Sequence, residues 1–101
     1  IKIIALKKLN DEEFEVTFSV HRKEQRQTLF YHKDLWVDSL KEFMPYLNPS
    51  NLDFQPFLRN NPTFTKKVFE LIEATIDGKT NNFPIMIPLE WKEDSQHLKV
   101  A

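Results

Sequence analysis

Few residues in this chain are equipped for chemistry, and they are scattered. The only imidazoles are His21, His32 and His97. Two imidazoles and a carboxylate hold zinc when they converge within about 2 Å of one ion. In the hairpin register argued below, His21 lies near Gln27 and His32 near Val16, on different faces and several residues apart, while His97 falls in a polar tail. Solvated histidines and no metal are expected. The run Tyr31-His32-Lys33-Asp34 brings a phenol, an imidazole, an amine and a carboxylate together in sequence. General acid–base catalysis needs such groups to converge in a pocket, whereas neighbours in a strand alternate faces. The run reads as a strand end leading into a helix cap. Asp11, Glu12 and Glu13 read as a solvated turn, because a calcium loop needs spaced ligands and a central glycine.

Composition narrows the chemistry further. With no cysteine, the chain has no disulfides, thiolate metal sites or cysteine nucleophiles. With one glycine, Gly78, it has no phosphate-cradling loop or nucleophile elbow. The expectation is a non-catalytic protein with no cofactor. An enzyme or small-ligand protein, whose pocket forms only in the fold, stays as a further alternative.

Two groups of cations would suit anions. Arg22, Lys23 and Arg26 cluster with His21 at an expected hairpin tip, upstream of Phe30 and Tyr31. Basic tips track phosphate backbones, and aromatic rings stack on bases. Glu24 dilutes this cluster, and the net charge of −1 is unlike the basic balance usual in nucleic-acid-binding domains. The second group is Lys66 and Lys67 in the first turns of an expected helix, with Arg59, Thr63 and Thr65 nearby. A helix N-terminus attracts anions, although each misplaced charge there costs only about 0.3–1 kcal/mol and needs no function to explain it.

The elements that must position these groups follow from periodicity. Phe14, Val16, Phe18 and Val20 alternate with polar residues, the mark of a strand with one buried face. Ile3–Leu9 reads as its hairpin partner, with Leu9 opposite Phe14, Ala5 opposite Phe18 and Lys8 opposite Glu15. Arg22–Arg26 reads as an exposed connection, and Gln27–His32 as a third strand that puts Phe30 beside Phe18. From an N-cap at Asp34, the residues Trp36, Val37, Leu40, Phe43, Met44 and Leu47 recur at helical spacing, with Pro45 ending or kinking the helix. A structured connector follows to Pro62, with room for a helical turn near Ser50–Phe54. A second helix begins at Asn61-Pro62, buries Phe64, Val68, Leu71 and Ile72, and ends at Gly78. Phe83–Trp91 reads as a last strand whose Pro84 and Pro88 lose donors on one lateral side, which suits a sheet edge.

These elements describe an α+β fold: a small, mainly antiparallel sheet in the order β-β-β-α-connector-α-β, with two helices packed on one face. Residues 1–91 form one domain and 92–101 a polar, disordered tail. The expected core joins Phe18, Phe30, Leu40, Leu71, Ile72 and Ile87. The opposite sheet face carries Ile4, Leu6, Leu29 and Tyr31, an apolar centre with a polar rim. Either the chain's own helices or connector cover that face, or a partner protein or second copy does. The functional expectation is a protein-interaction or regulatory module that binds another protein or forms a homodimer, with nucleic-acid binding through the basic tip as the alternative. Lysines interrupt the apolar residues of Ile1–Leu9, and the longest apolar run, Phe83–Leu89, is far short of the ~20 residues that cross a membrane. A cytoplasmic protein without membrane contact is expected.

Overall fold

The alternation of Phe14, Val16 and Phe18 organises a five-stranded antiparallel sheet. The structure is a computed structural model and describes residues 1–90. Its strands are β1 (Lys2–Lys8), β2 (Glu13–Val20), β3 (Lys23–Val37), β4 (Glu42–Pro49) and β5 (Ile85–Met86), in the spatial order β4-β3-β2-β1-β5. Two helices, α1 (Gln55–Asn60) and α2 (Pro62–Ile76), follow the fourth strand. The expected order of three strands, a helix and a connector is therefore corrected to four strands followed by two helices.

Local turn chemistry sets each register. The Asn10 Oδ1 accepts the amides of Glu12 and Glu13, both at 2.9 Å, and this Asx turn takes Leu9 out of the strand. Lys8 then faces Phe14, and Lys7 rather than Lys8 faces Glu15. A one-residue slip turns every side chain over, so Leu6 leans on the core and Ala5 lies opposite Thr17. A bulge at Ile4 restores Ile3 to the core opposite Phe18.

The second hairpin departs further from expectation. His21 and Arg22 have φ of 52° and 68° and form a two-residue turn, so β3 begins at Lys23. Positive φ at both central residues is the type I′ geometry that matches strand twist. The residues expected to form an exposed connection are thus strand, and Val16 faces Gln27 instead of His32. This offset is odd, so it exchanges faces. Leu29, opposite Phe14, and Tyr31 enter the core, while Phe30 is only half-buried on the other face.

The helix expected from Asp34 does not form. β3 continues to Val37, the chain turns through Asp38–Lys41, and β4 returns. Trp36, Val37, Phe43 and Tyr46 favour strands. Pro45 suits an edge strand better than a helix interior. A bulge between His32 and Leu35 sets Lys33 and Asp34 against Pro45.

After β4, the Asn51 side chain caps a single 3₁₀ turn, Leu52–Phe54, by accepting the Asp53 amide. Helix α2 ends as expected in a Schellman motif. Gly78, at φ 77°, donates to the Thr75 carbonyl and Lys79 to that of Ala74. The core gathers Ile3, Phe14, Val16, Phe18, Leu29 and Tyr31 of the sheet around Phe64, Val68, Leu71 and Ile72 of α2. The Phe18 ring meets Phe54, Phe57 and Phe64 at centroid distances of 5.6, 5.6 and 5.0 Å. Of the expected core, Phe18, Leu71, Ile72 and Ile87 are buried, but Leu40 is exposed at a hairpin tip.

The last strand is shorter than expected. β5 pairs with β1 alone and so lies at the sheet edge. The Ile87 amide donates to the Ile1 carbonyl at 2.7 Å, so odd-numbered residues face β1 and Pro84 and Pro88 turn their donorless nitrogens outward. Trp91 and the tail 92–101, with His97, lie outside the described residues.

Candidate functional site

β2 ends its pairing with β3 at Phe30, opposite Glu13. The Tyr31 amide still donates to the Glu12 carbonyl at 2.8 Å, and beyond it β3 pairs only with β4, so residues 32–46 form a two-stranded ribbon. Its outer part carries Leu35, Trp36, Leu40, Phe43, Met44 and Tyr46, most of the large apolar side chains exposed among the described residues. Trp36 is 47% exposed, Leu40 55% and Phe43 64%.

Both faces of the ribbon are apolar. Leu47, opposite Tyr31, is buried on the helix side. Two-residue alternation puts Phe43 on that side too, with Trp36 opposite it. These two rings meet edge to face, with centroids 5.1 Å apart, and the Trp36 indole N–H donates to Asp38 at 2.7 Å. The other face carries Leu35 opposite Met44, and His32 stacked on Tyr46 at 6.3 Å.

At the root of the ribbon, a cleft of about 270 Å³ opens between β3 and the C-terminal end of α2. It is lined by Tyr31, Lys33, Glu73, Ile76 and Asp77. The Tyr31 hydroxyl donates to Glu73 at 3.1 Å, and its ring packs against Phe14 and Phe69. Burial first, then the Glu73 hydrogen bond and the charges of Glu73, Asp34 and Asp77, push the Tyr31 phenol up to about 12. A phenol so held is a hydrogen-bond donor at neutral pH, not a base. The cleft therefore offers a phenol donor, carboxylates and an apolar wall.

The four residues expected to form an exposed interface do not share a face. Leu29 is fully buried and Tyr31 is 3% exposed, both under α2 with Leu6 leaning on the same core. The chain itself supplies their cover. Ile4 is on the other side, in a shallow hollow with Lys2, Ser19, Arg22, Glu24 and Met86. Periodicity alone hides the ribbon, because its apolar residues also recur at helical spacing. The signal that would have found it is Pro45 inside the supposed helix, flanked by β-favouring aromatics.

The cation clusters are also redistributed. Lys23 lies opposite Val20 and Arg26 opposite Thr17. An odd spacing along β3 sends the two to opposite faces, so Arg22, Lys23 and Arg26 do not make one surface. At the start of α2, the Thr63 amide donates at 2.7 Å to the carboxylate of the chain's own Glu90. The Glu90 amide donates in turn to the buried Asn61 Oδ1 at 3.0 Å. The anion sought by this helix end is thus internal, and Lys67 pairs with Glu70 at 3.4 Å while Arg59 and Lys66 are exposed.

Among the described residues no group of three or more His, Cys, Asp or Glu side chains is placed to hold a metal ion, and no helix is long and apolar enough to cross a membrane. No protein-family model, curated protein or solved structure matches this chain.

Proposed function

We propose that this domain is a non-catalytic protein-interaction module whose contact surface is the β3–β4 ribbon. The observation that carries the reading is the exposure of Trp36, Leu40 and Phe43 on a ribbon that the other described residues leave uncovered. Large contiguous apolar patches on a soluble surface mark interaction sites, and tryptophan and tyrosine are frequent anchors of such contacts.

The contact is made by side chains more than by added strands. The Ser50 amide donates to the Thr28 carbonyl at 2.9 Å, which turns the amides of even-numbered β4 residues toward β3. Phe43, Pro45, Leu47 and Pro49 then face the open edge, where two of the four positions have no donor. Such prolines block edge-to-edge pairing.

Site-specific cross-linking in the source cell tests the proposal. A photoreactive phenylalanine analogue replaces Phe43, or Leu52 as an equally exposed control outside the ribbon. A discrete protein captured from position 43 alone, which then binds the purified domain, supports the reading. The same products from both positions would overturn it.

A further inference from the structure

Helix α2 carries its charges against its dipole. Lys66 and Lys67 lie in its first turns, Glu73 is in its last turn, and no basic residue stands there to balance it. Asp77 follows at the C-cap. The negative end of the macrodipole and these two carboxylates reinforce one another. Glu73 and Asp77 both line the cleft at the ribbon root, where Lys33 is the one cation among the described residues. Asp34 adds its field at the Tyr31 hydroxyl. Exposed Ile76 forms the apolar wall.

The cleft and the aromatic pair lie on the same side of the ribbon. Lys33 lines the cleft, and Trp36 is three residues further along the same strand, about 10 Å away at strand rise. Trp36 and Phe43 lie on the side of the ribbon that bears Tyr31 and Leu47. Along this line the surface passes from aromatic and exposed to concave and negative. A cation of that size and reach, joined to apolar groups, complements it on both counts.

Resting on the ribbon being the contact surface, we infer that its occupant is a basic, apolar protein segment: one arginine or lysine enters the cleft beside Glu73 and Asp77 while neighbouring apolar side chains cover Trp36 and Phe43. The guanidinium or ammonium group donates to the two carboxylates, and Tyr31 keeps Glu73 in place through its hydroxyl. An acidic segment would meet like charges at the same point and be excluded.

Fluorescence anisotropy with three labelled, end-capped peptides tests this. The probes are alternating leucine with arginine, with glutamine or with glutamate. The whole chain should bind the arginine peptide at least tenfold more tightly than the glutamine peptide and the glutamate peptide least. The variant E73Q/D77N, whose side-chain amide at position 73 still accepts from Tyr31, should lose that tenfold preference. The control E24Q/D53N, which removes equal charge away from the cleft, should keep it. Equal losses in both variants, or no loss in E73Q/D77N, would overturn the inference. The F43S variant separates the two levels. If it weakens binding of all three peptides while E73Q/D77N changes nothing, the ribbon reading stands and the cleft assignment fails. If F43S binds every peptide as the wild type does, the ribbon reading fails as well.

Discussion

Trp36 and Phe43 face each other across the β3–β4 ribbon with ring centroids 5.1 Å apart and planes at 64°. The pair braces the outer part of the ribbon, beyond its buried root at Tyr31 and Leu47. Cross-strand aromatic pairs contribute about 0.5–1.5 kcal/mol beyond their burial. A double-mutant cycle with W36A and F43A, read by chemical denaturation, should give a coupling energy in that range. Additive effects would show that the ribbon is braced elsewhere.

The core should respond differently. Leu71 is buried among the side chains that join α2 to the sheet. L71A should lower stability by about 2–5 kcal/mol. A loss under about 0.5 kcal/mol would contradict the packing of α2.

The turn at His21-Arg22 holds two non-glycine residues at φ of 52° and 68°. Left-handed backbone costs most L-residues roughly 1–2 kcal/mol. Asparagine followed by glycine is the preferred pair for this turn. Replacing His21 by Asn and Arg22 by Gly should therefore raise the denaturation midpoint, with a gain of about 1–3 kcal/mol. A lower midpoint would mean that these side chains stabilise the hairpin in some other way.

Tyr31 gives a pH dependence with a defined sign. Its phenol titrates near 12 in the fold, against an ordinary value of 10.0. The raised value means the fold favours the protonated form. The resulting stabilisation, on the order of 2–3 kcal/mol, is fully present below pH 10 and is lost as pH rises from 10 to 12. Glu73, Asp34 and Asp77 oppose ionisation, and Lys33 lines the same cleft. Unfolding titrations of wild type and Y31F should diverge over this interval, the variant showing the shallower decline. Parallel curves would contradict the assignment.

How much of this was legible in the sequence depends on how local each signal is. The second helix was readable from Asn61-Pro62 to Gly78, because its stripe and its left-handed C-terminus are encoded within the segment. The edge position of Pro84 and Pro88 was readable for the same reason. The ribbon was not. Residues 36 and 43 are seven apart, a spacing that matches two helical turns and equally a four-residue hairpin turn. The faces of β3 were also hidden, because the register depends on whether the chain turns at His21-Arg22 or several residues later. An odd error there moved Leu29 and Tyr31 from the core to the expected interface. The Asn61–Glu90 pairing at the start of α2 joins distant residues, and no short-range pattern announces it.

The most direct test of the account sets affinity against stability for F43S. The protein cross-linked from position 43 is purified and titrated against the wild-type domain and the variant, and both domains are unfolded in denaturant. Phe43 is 64% exposed and packs mainly on Trp36, so its loss should cost the fold no more than about 2 kcal/mol and leave it folded. Affinity should fall at least tenfold, as for an interface anchor. Undiminished affinity in a variant that remains folded would contradict the claim that the ribbon is the contact surface.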